Sequence, residues 1–101
     1  MYNSKLKSED ADHFFKAILS LETEEECYRF FEDVCTIGEL RSIAQRFAVA
    51  RLLDEGVTYN AIVDSTNAST ATISRVNKCL TYGAEGYRLA LDRLKKEKNS
   101  I

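Results

Sequence analysis

The segment 37–55 is apolar on two sides of one predicted helix, and this feature constrains the fold most. A 3.6-residue spacing predicts a helix from Ile37 to Glu55 that stops at Gly56, a residue type favoured just past a helix C-terminus. Two apolar stripes run along different sides of it, one formed by Leu40, Ile43, Phe47 and Ala50 and the other by Ala48, Val49, Leu52 and Leu53. A helix with two apolar sides must be covered on both.

A chain of 101 residues has few elements with which to cover both sides of this helix. The length predicts one domain, and 45% hydrophobic residues without any Pro favour an all-helical globule. A second copy of the chain would supply the missing cover. The sequence therefore predicts a homodimer with this helix at its centre. The alternative is that the first, second and sixth helices of the same chain suffice.

The sequence predicts an all-α chain of about six helices, organised as a flexible polar arm at 1–7, a single helical domain at 8–97 and a tail at 98–101. Ser8 precedes three acids and an apolar pattern, which predicts an N-cap for a first helix that ends near Leu21.

Two Thr-x-x-Glu patterns predict the starts of the next two helices. Thr23 with Glu26, and Thr36 with Glu39, have the spacing of a capping box. A last helix is predicted from about Ala84 to Lys96, after a glycine-containing turn.

The segment 58–80 is predicted to form two short helices joined by a tight turn. Thr58 is an N-cap candidate for a helix that runs to about Thr66, and Ser69 is one for the helix that follows. Asn67 stands at the turn, where a left-handed conformation is needed that Asn tolerates better than other non-glycine residues. Ala68 should be a small buried contact.

The second of these helices has two chemically different faces. Ile73, Val76 and Leu80 lie within about 60° of one another at 100° per residue, so they should face the core. The residues that could meet DNA are small, hydroxylated or basic, and they are Ser69, Thr70, Ala71, Thr72, Ser74, Arg75 and Lys78. Such a face suits the major groove of double-stranded DNA. The alternative is that short helix pairs also pack cores in many proteins that never touch DNA.

The charge is divided unevenly along the chain. Residues 1–40 carry four Lys/Arg against ten Asp/Glu, a net of −6, whereas residues 41–101 carry ten against six, a net of +4. A basic half points to a polyanionic partner. The overall net charge is only −2, so an inert dipolar surface is the alternative.

The strings CYRFFEDVCT, LRSIAQRF and ASTATISRVNKCLTYG, with the spacing between them, resemble the tryptophan repressor (TrpR) family. Within it, the chain is most similar to the TrpR-related YerC/YecD branch, and the resemblance covers about residues 10–95. The resemblance implies six helices, an intertwined homodimer and DNA binding through helices four and five. It also implies that two recognition helices enter successive major grooves about 34–36 Å apart.

The resemblance further implies a small-molecule effector site at Thr36, Arg46 and Arg75, the positions that match the tryptophan-binding members. Two departures separate this chain from those members. Ile37 stands where the family has a proline, and Val76 where it has a small residue that leaves room for the indole ring. We therefore carry over DNA binding but not tryptophan as the effector.

Other functions have weaker support in the residues. Cys27 and Cys35, with His13, are conceivable as a metal or redox site, but small buried hydrophobic side chains are the expectation for both. One His, no glycine-rich phosphate loop and no nucleophile–base pair predict a protein that is not an enzyme and needs no cofactor.

The expected location is the bacterial cytoplasm, at the nucleoid when the protein is bound to DNA. The N-terminus is polar, the three cysteines form no C-x-x-C pair, and no apolar run approaches the ~20 residues that span a bilayer. The function predicted is a dimeric helix-turn-helix regulator, a repressor, with an unidentified small effector. The alternative is a dimeric protein-interaction module that has lost specific DNA readout.

Overall fold

A computed structural model describes residues 2–98, which contain six helices and no strand. The helices are α1 (Glu9–Leu19), α2 (Glu24–Val34), α3 (Ile37–Asp54), α4 (Tyr59–Thr66), α5 (Thr70–Tyr82) and α6 (Gly86–Lys98). The all-α prediction is therefore confirmed. None of the described helices is both long enough and apolar enough to cross a membrane. Met1, at the start of the predicted arm, and residues 99–101 of the predicted tail lie outside the described residues.

Four helices begin at the predicted N-cap residues, which are Ser8, Thr23, Thr58 and Ser69. In each case the side-chain oxygen accepts a hydrogen bond from the backbone N–H three residues further on, at 3.0 to 3.3 Å. These bonds satisfy donors that the first turn of a helix would otherwise leave unpaired. The starts of these helices thus follow from local chemistry alone.

Only one of the two predicted capping boxes is complete. The Thr36 N–H donates to Glu39 Oε1 at 2.8 Å, and the Glu39 N–H donates to Thr36 Oγ1 at 3.1 Å. The Thr36 backbone donor, followed by its side chain, holds the pKa of Glu39 below its usual value. In the other box, Glu26 Oε1 accepts from the N–H of Glu22, and not of Thr23, at 2.8 Å.

The boundaries of three helices differ from the predicted ones. The first helix ends at Leu19, before the predicted Leu21. The Ser20 hydroxyl donates to the carbonyl of Ala17 at 2.6 Å and so caps the end of this helix. The last begins at Gly86 and not at Ala84, because Glu85 has a left-handed backbone with φ of 67°. The fifth continues beyond Leu80 to Tyr82.

The first unit of the chain, residues up to Leu40, contains α1 and α2. Four phenylalanines, Phe14, Phe15, Phe30 and Phe31, pack together with ring centroids 5.5 to 6.4 Å apart. Neither helix has a buried residue, and large apolar side chains stay exposed, such as Leu19 at 83% and Tyr28 at 63%. This unit has therefore far more apolar surface than it covers by itself.

The second unit, from Arg41 onward, holds the buried core. Its buried apolar residues are 3% exposed or less, and they are Val49, Ala50, Ile62, Ala68, Ile73, Val76 and Leu91. The inward directions predicted for Ile62, Ala68, Ile73 and Val76 are thus confirmed, while Leu80 packs against the core half-buried. Gly56 ends α3 with the expected positive φ, at 82°. On α3, Val49 and Ala50 come from the two predicted stripes, and both are buried.

An ionic cluster holds α6 against the C-terminal end of α3. Asp54 accepts hydrogen bonds from Arg88, at 2.7 Å, and from the Lys95 ammonium group, while Arg88 also contacts Asp92 at 3.2 Å. The Asp54 side chain is only 10% exposed. Hydrogen bonds from Arg88 and Lys95 lower its pKa from 3.8 to about 2.

Replacing Asp54 with Asn should lower the free energy of unfolding by about 1–2 kcal/mol at neutral pH. Because folding depresses the Asp54 pKa, its contribution is present above about pH 4 and disappears as the pH falls toward 2. Urea unfolding at pH 7 and at pH 3 measures the free energy of unfolding of both proteins. The difference between wild type and Asp54→Asn should be smaller at pH 3 than at pH 7. The control is Asp92→Asn, which removes a more exposed partner of Arg88. An equal loss in both variants would contradict the role assigned to Asp54.

Candidate nucleic-acid interface

The turn between α4 and α5 is built by its own polar groups. Asn67 has a left-handed backbone, with φ of 61° and ψ of 12°, as predicted, and its N–H donates to the Val63 carbonyl at 2.9 Å. The Thr66 hydroxyl donates to the carbonyl of Ile62 at 2.7 Å and accepts from the N–H of Ala68 at 3.1 Å. These bonds set the direction in which α5 leaves α4.

A side chain of α3 fastens this turn to the rest of the second unit. Gln45 Nε2 donates to the carbonyl of Thr66, the last residue of α4, at 3.0 Å. This bond satisfies a carbonyl that the helix end leaves without an intrahelical partner. Sequence reasoning missed Gln45, because the two residues are 21 positions apart and no local pattern connects them.

Helix α5 separates its buried side chains from its polar ones, as the sequence predicts. Ile73 and Val76 are buried on one side. Of the seven predicted DNA-contacting residues, Ser69, Thr70, Ala71, Ser74, Arg75 and Lys78 are exposed, and Thr72 is half-buried. The Thr72 side chain contacts the N-cap residue of α5, because its hydroxyl accepts a hydrogen bond from Ser69 Oγ at 3.1 Å. We call the six exposed residues the α5 polar face.

The two cations of the α5 polar face are free of acidic partners. Within the described residues, Arg75 and Lys78 make no ion pair or hydrogen bond through their side chains, whereas Arg88 contacts two carboxylates. The sequence has no Asp or Glu from Asn67 to Ala84. Unpaired cations on a helix without acids are suited to neutralising phosphates.

The three residues predicted to contact a small effector belong to different units of the chain. In the first unit, the Thr36 hydroxyl accepts from the Glu39 N–H and so caps α3. In the second unit, Arg46 Nη1 donates to Ser42 Oγ at 2.8 Å, and Arg75 is exposed. Thr36 and Arg46 thus have partners close in sequence, Arg75 has none among residues 2–98, and the effector site stays a prediction.

The three cysteines are free thiols. Cys35 is half-buried, whereas Cys27 is exposed, so the expectation of burial is wrong for Cys27 within this chain. Among residues 2–98, no three His, Cys, Asp or Glu side chains come together as metal ligands.

Comparison with known proteins places this helix-turn-helix in a family. The family model described as Trp repressor protein matches residues 9–95. The chain belongs to the Trp repressor family. It is 57% identical over 95 residues to the uncharacterized protein YerC of Bacillus subtilis (strain 168), a match that covers 94% of this chain and 91% of YerC. The predicted resemblance to the YerC-related branch of this family is thus confirmed.

Solved structures agree with this family assignment. The chain is similar to a TrpR like protein from Eubacterium eligens ATCC 27750, whose crystal structure has a TM-score of 0.88 and 54% sequence identity. The match covers 92% of this chain and 96% of the other. The six-helix fold is therefore that of the Trp repressor family, in which α4 and α5 form the helix-turn-helix.

Proposed function

We propose that this protein is a sequence-specific DNA-binding transcriptional regulator, a repressor, that acts as a homodimer through α4 and α5. The observation that carries the proposal is the α5 polar face, with its two unpaired cations and no acid. Membership of a family of DNA-binding regulators supports it. A dimer bound to an operator would repress transcription by excluding other proteins from that DNA.

The α5 polar face divides into base-reading and phosphate-binding positions. Residues near the start of a recognition helix reach base edges, so Thr70, Ala71 and Ser74 would lie in the major groove. The Ala71 methyl can contact a thymine methyl, and hydroxyls can contact any base. Arg75 and Lys78 can each pair with guanine or with phosphate.

Exposed apolar surface supports the homodimer. In the first unit, Leu19, Tyr28 and Ile37 are 83%, 63% and 72% exposed. In the second unit, the α6 residues Leu89 and Leu94 are more than half exposed. Large apolar patches on a folded protein mark interaction surfaces, and a second copy would cover them symmetrically. Such a dimer would present two α5 helices to the two halves of one operator.

Sedimentation velocity at micromolar concentration should give a species of twice the 11.5 kDa of one chain. The physical reason is the apolar surface that α1 and α2 leave uncovered. Tyr28→Glu, which places a charge on that surface, should shift the population toward monomer, whereas Lys5→Glu in the N-terminal arm should not. A single 11.5 kDa species of wild-type protein would refute the dimer.

Selection of bound sequences from random double-stranded DNA tests the function as a whole. The expected result is an enriched site with two-fold symmetry, whose half-sites are about one helical turn apart. Binding should weaken steeply as salt rises, because phosphate contacts release counterions. Recovery of a protein partner from lysate without any enriched DNA sequence would favour an interaction module and contradict the proposal.

A further inference from the structure

The side chain of Gln45 joins two parts of the second unit that lie 21 positions apart in the sequence. Its Nε2 donates to the carbonyl of Thr66 at 3.0 Å, and both residues are half-buried. Among residues 2–98, this is the only side-chain hydrogen bond between α3 and the helix-turn-helix. Gln45 therefore makes a polar contact that no other residue of α3 duplicates.

Apolar packing also joins α3 to these helices, but it acts differently. Val49 and Ala50 of α3 share one buried cluster with Ile62 and Ile73. Burial of apolar surface is non-directional, whereas a hydrogen bond weakens steeply as its angle departs from linearity. The cluster thus brings the helices together, while the Gln45 bond specifies the position of the C-terminal end of α4 against α3.

The position of Thr66 determines where α5 begins. Only three residues separate the end of α4 from the first residue of α5. Within this turn, the Thr66 hydroxyl accepts from the N–H of Ala68 at 3.1 Å, and Ser69 is the N-cap of α5. A connection this short has little freedom, so a shift of the Thr66 carbonyl would move the start of α5 with it.

We infer that Gln45 is a positioning residue that sets the separation of the two α5 helices in the homodimer and thereby selects the spacing of the two operator half-sites. The consequence for DNA rests on the function proposed above, whereas the contact of Gln45 with the turn does not. Two-fold symmetry doubles any displacement, because the same change occurs in both copies. A shift of each α5 by about 1.7 Å along the DNA would equal one base-pair step of about 3.4 Å.

Gln45→Met tests this role, because Met has a similar length, carries no hydrogen-bond donor and leaves the net charge unchanged. The probes are the operator selected by wild-type protein, the same operator with one base pair inserted or deleted between its half-sites, and random DNA. Wild-type protein should prefer the selected spacing by about tenfold or more. In Gln45→Met this preference should fall to about threefold or less, or move to one of the altered spacings.

Affinity for random DNA separates positioning from a general loss of structure. In Gln45→Met it should change by less than about twofold, with the same salt dependence, because no cation is removed. A residue that only stabilises the fold would leave the preference among spacings as it is. An unchanged preference in folded Gln45→Met would therefore overturn the inference. Gln45→Asn, whose amide is one methylene too short for the same contact, provides the same test if Gln45→Met does not fold.

Hydrogen exchange, followed residue by residue by NMR, measures the turn in the protein without DNA. The N–H groups of Asn67 and Ala68 are hydrogen-bonded at 2.9 and 3.1 Å. Their exchange should be about tenfold faster or more in Gln45→Met than in wild type. The matched control is Ser65→Ala, which removes a hydroxyl at the same end of α4 whose hydrogen bond, to the Ile62 carbonyl, stays within that helix. Its exchange and its spacing preference should both stay within about twofold of wild type.

Failure of this inference is distinguishable from failure of the proposed function. If the turn exchanges faster in Gln45→Met but wild-type protein selects no DNA sequence, Gln45 positions the turn and the proposed function fails. If wild-type protein binds its operator and Gln45→Met changes neither exchange nor spacing preference, the function stands and the role of Gln45 is wrong. Equal effects of Gln45→Met and Ser65→Ala would also overturn that role, since they would assign the change to α4 alone and not to its contact with α3.

Discussion

Replacing both Arg75 and Lys78 with Ala is expected to weaken operator binding by about 100-fold or more. Each side-chain interaction with a base or phosphate is worth on the order of 1–3 kcal/mol, and a dimer makes each of them twice. Neither side chain has an acidic partner in residues 2–98, so their removal breaks no ion pair that supports the fold. Thermal unfolding should consequently change little, and a fluorescence anisotropy titration at physiological salt measures the affinity.

Salt titration of the two single variants separates their roles. If Lys78 binds phosphate, Lys78→Ala should weaken all DNA sequences alike, and the slope of log affinity against log salt should become shallower by roughly 0.9 for each phosphate that is no longer neutralised. If Arg75 pairs with guanine, Arg75→Ala should instead reduce the preference for the operator over other DNA. The matched control, Arg93→Ala with Lys96→Ala, removes two exposed cations from α6. Equal effects of the two pairs would mean that net charge, and not the α5 polar face, determines binding.

The helix starts could be predicted because their causes are local. The caps at Ser8, Thr23, Thr58 and Ser69 each involve an oxygen and an N–H only three residues apart. The left-handed turn at Asn67 likewise follows from the residue type. The strings CYRFFEDVCT, LRSIAQRF and ASTATISRVNKCLTYG indicated the family, and the spacing of Ile73, Val76 and Leu80 predicted which side of α5 faces the core.

Contacts between distant residues could not be predicted, because nothing in a single sequence pairs them. Asp54 meets Arg88 across 34 positions, and Gln45 meets Thr66 across 21. The periodicity of α3 had the same limitation. It placed Ile43 in an apolar stripe, yet Ile43 is 45% exposed in the chain. Apolar spacing identifies a side that needs cover, but it does not say which element, or which copy of the chain, covers it.

The second large effect is expected at Gly83, which ends α5. Its N–H donates to the carbonyl of Cys79 at 2.9 Å, and a Cβ at Gly83 would lie only 2.3 Å from that carbonyl oxygen. With φ of −84°, Gly83 is required for space and not for an unusual backbone angle. Because the clash is with backbone, Gly83→Ala must shift the end of α5, which should cost about 1–3 kcal/mol.

Gly86→Ala is the matched control, since a Cβ there would meet no atom within 4 Å. Gly86 is also the first residue of α6, where Ala has the higher helix propensity. Thermal unfolding at one protein concentration should show a lower Tm for Gly83→Ala, by roughly 4–8 °C per kcal/mol, and an equal or higher Tm for Gly86→Ala. If the clash moves α5 itself, Gly83→Ala should also weaken DNA binding below its own Tm, whereas Gly86→Ala should not. Full stability in Gly83→Ala would show that the close approach at Cys79 relaxes without cost.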